Sequence, residues 1–490
     1  MTIRTVLAAT ALALLATAAR AERTDLTLGV ALEPPHLDPT AGAAAAIDEV
    51  VYANLFEGLT RIDETGAVQP ALAESWEVSD DGLTYTFKLR EGVTFHDGTT
   101  FDAEDVVFSL DRARGEDSVN AQKALFEAIE GVEAVDPATV RVTLSRPEGA
   151  LAYNLGWGDA VIVAPESAEG NQESPVGTGP FKFEGWTRGT EIRLVRNPDY
   201  WGEAPALERA AFRIVPDPAA AAAALQAGDV QAFPNFPAPE QLPIFEADPR
   251  FEVVVGTTEG ETILAMNNGK APLDDVRVRR AIARAIDRDA IVEGAMFGQG
   301  TPIGSHFAPH HPAYVDLTDE ASFDPEAAKA LLEEAGAEGA TLSLKLPPPS
   351  YARRGGEIIA SQLRDVGLNV EIEPVEWKQW LEGPFKARDY DLTIVSHTEP
   401  NDIGIYARDD YYFAYGSQPF RDLMARLNAT ADEAERYAVL REAQEMLAAD
   451  QVNAFLFQLA KAGVWDARLE GLWENSPVQA NDLTKVRWTE

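Results

Sequence analysis

The chain has 490 residues, of which 80 are acidic and 41 are basic, and it contains no cysteine. The formal net charge of −39 repels nucleic acid and anionic lipid headgroups, which excludes nucleic-acid binding as a function class. The lack of cysteine excludes disulfides, thiol catalysis and lipid attachment through a cysteine, and the length predicts at least two lobes, each with its own core.

Residues 1–21 have the pattern of a secretory signal peptide. Arg4 supplies a positive charge, residues 6–18 are apolar, and Ala19-Arg20-Ala21 has the small residues of a cleavage site. About 13 apolar residues are fewer than the roughly 20 that span a bilayer. We therefore expect cleavage after Ala21 and a periplasmic protein without stable membrane insertion.

The rest of the chain alternates between strand and helix patterns. Residues 24–30 and 84–89 alternate apolar and polar side chains as half-buried strands do, and Asp81-Gly82 is a hairpin turn. Residues 256–260 form a polar, flexible stretch between two strands. The later strands are predicted at 251–255, 263–268, 368–372, 390–395 and 455–459, and the helices at 47–55, 278–286, 357–365 and 432–449. This alternation predicts an α/β fold.

Short motifs occur in a specific order between Leu72 and Leu110. They are Ala-Glu-Ser-Trp at 73–76, Asp-Gly at 81–82, Phe-Lys-Leu-Arg at 87–90, Phe-His-Asp-Gly at 95–98 and Ala-Glu-Asp-Val at 103–106. Leu-Asp-Pro at 37–39, Gly-Thr-Gly-Pro-Phe at 177–181 and Arg-Asn-Pro-Asp-Tyr-Trp-Gly at 196–202 extend the series. Together they resemble family 5 of the extracellular solute-binding proteins, which serve ABC importers for dipeptides, oligopeptides and nickel complexes.

The resemblance implies a two-lobed periplasmic binding protein fold with mixed sheets, a hinge between the lobes and an extra subdomain inserted in the first lobe. We expect lobe I at 22–258 with the insertion at about 56–175, lobe II at 259–460, and a return of 461–490 to lobe I. The first hinge is expected near 256–261. A solute that touches both lobes would favour the closed form of such a hinge.

The resemblance also implies where a solute binds. The family pairs a peptide amino terminus with the acid of a Trp-x-x-Asp motif after a strand, and this chain has Ser396-His397-Thr398-Glu399 there. Glu399 is therefore the expected partner of a ligand amine, and Ser396 in place of Trp enlarges the pocket. The aromatic loops after 401 and the small or glycine residues of the first lobe add further candidates. The candidate ligand-binding residues are Glu399, His397, Ser396, Trp377, Tyr411, Tyr351, Asn401, Asp402, Ala44 and Gly177.

One departure argues against strict dipeptide specificity. Dipeptide binders carry an arginine for the ligand carboxylate at the position that matches Leu346, although Arg353 or Arg354 could reach an anion instead. The sequence leaves other solutes open: a metal chelate, an oligosaccharide or an opine-like compound, bound by the same fold or by a sensor subunit.

No catalytic or metal-binding pattern is present in the sequence. Gly-x-Ser-x-Gly, His-Glu-x-x-His and phosphate-loop motifs are missing, and His397 or the His310-His311 pair alone does not form a metal site. We therefore expect no enzyme activity, no cofactor and no metal. The predicted protein is a monomer that binds a small, amine-bearing, peptide-like solute and delivers it to an ABC permease and its ATPase.

Overall fold

The computed structural model describes residues 23–42, 44–398, 402–430 and 432–489. The predicted signal peptide, Glu399 and Asn401 lie outside these ranges. The strands are β1 (Asp25–Val30), β2 (Thr60–Ile62), β3 (Val68–Pro70), β4 (Ala73–Val78), β5 (Thr84–Leu89), β6 (Ile129–Asp136), β7 (Thr139–Leu144), β8 (Phe181–Thr187), β9 (Glu191–Arg196), β10 (Arg209–Ile214), β11 (Ala232–Phe233), β12 (Phe251–Met266), β13 (Thr301–Pro302), β14 (Thr341–Leu346), β15 (Asn369–Pro374), β16 (Leu392–His397), β17 (Asn453–Asp466), β18 (Leu469–Glu470) and β19 (Arg487–Trp488).

Helices cover parts of these sheets, and several begin at an aspartate whose carboxylate accepts a backbone amide of the first turn. The helices are α1 (Ala45–Val51), α2 (Ala103–Arg114), α3 (Leu151–Asn154), α4 (Pro218–Ala227), α5 (Leu242–Glu246), α6 (Val276–Arg284), α7 (Arg288–Met296), α8 (Pro325–Ala335), α9 (Ser350–Asp365), α10 (Trp377–Trp380), α11 (Gln418–Ala429) and α12 (Glu433–Asp450). None of the helices in the described ranges is long and apolar enough to cross a bilayer.

One large mixed sheet runs through the whole molecule. Its strand order is β15-β14-β16-β12-β17-β11-β1-β10-β9-β8, and β13 pairs with β17. Strand β1 is parallel to β10 and β11, whereas β12 is antiparallel to β16 and β17. The architecture is thus the predicted α/β fold with mixed sheets.

The centre of this sheet differs from the sequence prediction. Two strands separated by a flexible stretch at 256–260 were expected, but β12 is continuous from Phe251 to Met266. The reason is a long-range partner: β17 pairs with β12 on both sides of this stretch, and Gly256 and Thr257 pair with Lys461 and Ala460. The pairing is irregular between Thr257 and Glu261, where the first hinge is predicted.

With the predicted boundaries, the first lobe comprises the described residues up to 258 and after 460, and the second lobe comprises those between. Strands β1, β8, β9 and β10 share a core with the end of the chain, where the Trp488 indole donates to the Asp25 carbonyl oxygen at 3.0 Å. The four-stranded sheet β4-β5-β7-β6 and α2 enclose a second core within the predicted insertion. The second lobe packs its helices around β12, β14, β15 and β16.

The structure agrees with the predicted element bounds where a short pattern decides them, and differs for longer elements. Strand β5 has the predicted bounds, and Gly82 has the positive φ of 70° that the preceding hairpin turn requires. Helix α1 begins two residues earlier than predicted and ends at Val51, four residues before Leu55. Helix α9 begins at Ser350 and not at 357, and β17 is far longer than the predicted 455–459.

Candidate ligand-binding cleft

A cavity of about 250 Å³ lies where the two lobes face each other. The first lobe supplies most of its wall, from α1, α3 and the segment around Trp157. The second lobe contributes Thr398, which directly follows β16, and the returning chain contributes Gln479. The lining residues are Gly42, Ala45, Asp48, Gln122, Leu125, Tyr153, Asn154, Trp157, Asp159, Thr398 and Gln479. Both lobes therefore bound the same space, as a cleft that closes on a solute requires.

Two aspartates of the first lobe lie in this wall. Asp159 is only 5% exposed, and Asp48 is half-buried on α1. A β-carbon at Gly158 would overlap the Asp48 carboxylate, so the glycine allows this carboxylate to lie against the backbone beside Asp159. The amide of Asn120 donates to the Asp159 carbonyl oxygen at 2.8 Å and fixes that backbone.

The electrostatics of this pair are unfavourable in the protein alone. Burial raises the pKa of Asp159 to about 7. Burial also raises the pKa of Asp48 well above its usual value, and the negative charges of Asp159 and Glu49 add to the effect. Within the described ranges, Oδ1 of Asp48 and Oδ1 of Asp159 are buried without a hydrogen-bond partner.

The second-lobe rim of the cleft is the end of β16. The Ser396 amide donates to the Tyr351 hydroxyl at 3.3 Å, which brings two of the candidate residues together. In the described part of the chain, Ser396 Oγ is buried without a hydrogen-bond partner. Thr398 continues the rim into the cavity.

A buried polar network adjoins this rim through His397, the last residue of β16. Nδ1 of His306 lies 2.9 Å from Glu261 Oε1, and Nε2 of the same ring lies 3.0 Å from Asp402 Oδ1. The other oxygen of Asp402 lies 3.7 Å from Nδ1 of His397, whose Nε2 is 2.9 Å from the Tyr412 hydroxyl. Asp402 is therefore held between two imidazoles.

The charges in this network compensate one another. Burial disfavours the charged imidazole of His306, but the carboxylates of Glu261 and Asp402 outweigh burial and raise the pKa of His306 to about 10. Burial raises the pKa of Glu261 to about 7, and the charge of His306 opposes that shift. His306 is thus an imidazolium at neutral pH. Within the described residues, no group of three or more histidine, cysteine, aspartate or glutamate side chains is arranged to hold a metal ion.

The remaining candidate residues lie around the cleft in different settings. Tyr411 is 9% exposed and packs its ring against Phe385 and Phe413. Trp377 begins α10 with its side chain 41% exposed and its ring edge-on to Trp380. Among the candidate residues the structure brings His397, Asp402 and Tyr411 together, and Trp377 is not part of that group.

The two first-lobe candidates are Ala44 and Gly177. Ala44 is the residue before α1 and therefore adjoins Ala45 in the cavity wall. Gly177 packs tightly between lobe and insertion: a β-carbon there would overlap the Leu55 carbonyl oxygen, and its own carbonyl accepts the His96 amide at 2.8 Å. Its glycine thus serves a close backbone approach.

The two arginines considered as anion contacts have other neighbours. The Arg354 guanidinium lies over the Phe297 ring, 5.2 Å from its centroid. The Arg353 guanidinium donates to the carbonyl oxygens of Pro347 and Val375 at 3.0 and 2.9 Å.

The adjacent histidines His310 and His311 contact different groups. Nε2 of His310 lies 2.7 Å from Glu259 Oε1, and the ring of His311 stacks on Phe307.

Comparison with known proteins agrees with this architecture. The family model for bacterial extracellular solute-binding proteins, family 5 (middle region), matches residues 67–418. The chain belongs to this family. The dipeptide-binding protein of Escherichia coli K12 is 32% identical over 445 residues, which cover 80% of this chain and 81% of that protein.

Solved structures show the same two-lobed fold. HbpA2 from Haemophilus parasuis has a TM-score of 0.86 at 25% identity, covering 95% of this chain and 100% of that one. The periplasmic binding protein DppA from Helicobacter pylori, in complex with the peptide STSA, has a TM-score of 0.73 at 25% identity, covering 96% and 99%. The family is one of binding proteins.

Sequence reasoning missed most of the first-lobe wall of the cleft. Asp48, Tyr153, Trp157 and Asp159 were not among the candidates, although all four line the cavity. One signal was available: Gly156-Trp157-Gly158-Asp159 places two glycines around an aromatic residue beside an acid. Such a segment permits close backbone approach and presents both a ring and a charge.

Proposed function

We propose that this protein is the periplasmic substrate-binding component of an ABC importer, and that it captures a small, peptide-like, amine-bearing solute between its lobes. The observation that carries this proposal is the cavity bounded by Thr398 of the second lobe and by α1 of the first. A solute that touches both walls stabilises the closed arrangement of the lobes. Its release to a membrane permease with its ATPase would complete delivery.

The size and the chemistry of the cavity support a small polar solute. About 250 Å³ lies just below the roughly 300–1,000 Å³ that is usual for ligand pockets. The walls combine carboxyl groups with Tyr153 and Trp157, which suits an amine with an apolar part. A dipeptide-binding relative and a peptide-bound structural neighbour support a peptide-like solute.

Three further elements belong to the proposal. Residues 1–21 direct export and are removed, the mature chain acts as a monomer, and the solute leaves the cleft chemically unchanged.

On the second lobe, Glu399 pairs with the ligand amine, at the place where the family has the acid of its Trp-x-x-Asp motif. Three positions further along the chain, Asp402 is held by Nε2 of His306 at 3.0 Å.

A binding screen tests this function. The mature protein is mixed with dialanine, trialanine, a disaccharide and Fe(III)-EDTA, and its melting temperature is measured. Peptides should raise the melting temperature by ligand linkage. Stabilisation by the sugar or the chelate alone would contradict a peptide-like solute.

The role of Glu399 is tested by Glu399→Gln, with Glu371→Gln on the exposed side of β15 as the matched control. Loss of a charge-assisted hydrogen bond should weaken trialanine binding by about 10- to 100-fold in calorimetry. Equal affinity of Glu399→Gln, the control and the wild type would remove Glu399 from the site. Native mass spectrometry of the protein from its own periplasm would identify the solute by its mass.

A further inference from the structure

The first-lobe wall holds two carboxyl groups that the described structure satisfies only in part. Backbone amides of Gln122 and Asp159 bond to the Asp159 carboxylate, but one oxygen of each aspartate has no partner among the described residues. Asp48 Oδ1 and Asp159 Oδ1 have no hydrogen-bond donor within the described ranges, although both atoms are buried. Buried carboxyl groups in native proteins nearly always have partners. An acid that stays unpartnered in a cavity wall is therefore a candidate contact for a molecule that enters the cavity.

A third buried acid shows how this lobe treats a structural carboxylate. Glu57 accepts hydrogen bonds from the Thr178 hydroxyl at 2.7 Å, the Trp201 indole at 2.8 Å and the Tyr200 hydroxyl at 2.9 Å. Three donors from distant parts of the chain converge on it, so the fold itself satisfies that carboxylate. Asp48 and Asp159 lack such a cage and instead line the cavity.

The surroundings of the pair favour a positive partner. The strongest charges that act on Asp48 are those of Asp159 and Glu49, which are both negative. Trp157 and Tyr153 line the same wall, and their ring faces attract cations. A neutral or anionic group would leave the repulsion between the carboxylates in place, whereas a cation would relieve it.

We propose that Asp48 and Asp159 form a first-lobe subsite for a cationic group of the solute, an ammonium or a guanidinium. This inference rests on the proposed function and narrows it: the preferred solutes are short peptides that carry a lysine or arginine side chain. The amino terminus then pairs with Glu399 on the second lobe, and the basic side chain pairs with the first lobe.

The experiment compares tripeptides that differ in one charge. Ala-Lys-Ala, Ala-Met-Ala and 1,5-diaminopentane are titrated by calorimetry into the mature protein and into Asp48→Asn, Asp159→Asn and the control Asp229→Asn. Asp229 is an exposed first-lobe acid, so its variant makes the same charge change away from the cavity. A circular dichroism melt of each variant establishes that it is folded.

The wild type should bind Ala-Lys-Ala about 10- to 100-fold more tightly than Ala-Met-Ala, and each cavity variant should lose most of this preference. The Asp229→Asn control should keep it. Equal binding of both peptides by the wild type, or a preference that survives in both cavity variants, would overturn the subsite and leave peptide capture intact. If 1,5-diaminopentane alone binds, and does so through the aspartates, the subsite stands and the peptide assignment fails. If no probe binds, both fail.

The pH dependence provides a second measurement. A cation competes with the proton that burial retains on this pair, so Ala-Lys-Ala affinity should rise from about pH 5.5 to about pH 7.5. In Asp159→Asn the rise should be smaller, and an unchanged rise would count against the subsite. The other titratable groups beside the pair are Glu49, Tyr52 and, in the same cavity wall, Tyr153. One step further out, Lys461 acts on Glu49, and Glu259 acts on Tyr153.

Discussion

The two walls of the cleft treat buried acids in opposite ways. On the second-lobe side, Glu261 and Asp402 flank His306, and the imidazolium compensates both carboxylates. On the first-lobe side, Asp48 and Asp159 face the cavity, and the described chain supplies neither with a counterion. Burial raises the pKa of Glu261 and that of Asp159 to about 7, and among the described residues Glu261 Oε2 is also buried without a hydrogen-bond partner. What differs between the two sides is therefore whether the fold provides a cation beside the acid. We infer that the second-lobe acids stabilise the fold, whereas the first-lobe acids contact a cationic ligand.

The largest effect should come from breaking the compensated side. His306→Ala would leave the buried Glu261 and the half-buried Asp402 without their shared cation, which should lower the free energy of unfolding by about 3–5 kcal/mol. Urea unfolding followed by circular dichroism measures this, with His36→Ala at a partly exposed first-lobe histidine as the control. A His306→Ala variant as stable as the control would show that the network does not hold the second lobe together.

The uncompensated side should respond in the opposite direction. The folded-state pKa of Asp159 is raised to about 7, so folding favours its neutral form. Stability is therefore lost as pH rises from the usual aspartate pKa of about 4 to about 7. Asp159→Asn should therefore stabilise the solute-free protein by about 1–3 kcal/mol at pH 8 and by almost nothing near pH 4. Urea unfolding at both pH values checks this. Equal or lower stability of the variant at pH 8 would show that the backbone amides of Gln122 and Asp159 outweigh burial and stabilise the ionised carboxylate.

A smaller effect is expected where the two lobes touch beside the cleft. The Gly149 amide donates to the Asn428 carbonyl oxygen at 3.1 Å, and a β-carbon at Gly149 would overlap the Thr430 carbonyl oxygen. Gly149→Ala should push the lobes apart and weaken Ala-Lys-Ala binding by about tenfold, since overpacking costs about 1–3 kcal/mol. Solution scattering should show a larger radius of gyration. Gly131→Ala is the control, because a β-carbon there meets no described atom.

The smallest effect should come from an acid that is neither buried nor in the cleft. Asp111 pairs with Arg114 one turn along α2 at 2.7 Å, in contact with solvent. Asp111→Asn should change the free energy of unfolding by less than about 0.5 kcal/mol, because water and salt screen exposed ion pairs. A loss as large as that of His306→Ala would mean that charge number, and not burial, governs stability in this acidic protein.

The sequence was a good guide to local elements and a poor one to the cleft. Strand β5 and helix α12 follow from short patterns and caps, since Asp432 accepts the Glu435 amide at 2.9 Å at the start of α12. The continuity of β12 could not be read in the same way, because Gly256 and Thr257 look like a break until β17 pairs with them.

In the candidate site, too, contiguous residues could be predicted from the sequence, whereas residues brought together only by the fold could not. The family motif located the second-lobe rim at Ser396 to Thr398, since that motif is contiguous in the chain. Asp48 and Asp159 are 111 positions apart and become neighbours only through the packing of α1 against the segment around Gly158. Whether an acid has a partner depends on the whole fold, so periodicity and spacing cannot reveal it.

The shared strand pair also sets an order of assembly. Strand β17 (Asn453–Asp466) lies between β12 and β11, and Trp488 donates to the backbone of β1. The amino-terminal part of the large sheet therefore lacks a central strand until residues after 460 have been synthesised. The second predicted lobe, 259–460, also needs β17, whose residues Asn453 to Gln458 pair with Ala265 to Glu261, but it needs no residue beyond its own end. The first lobe therefore completes its sheet after the second lobe does. Removing the final thirty residues should destabilise the amino-terminal lobe more than the lobe next to the cut.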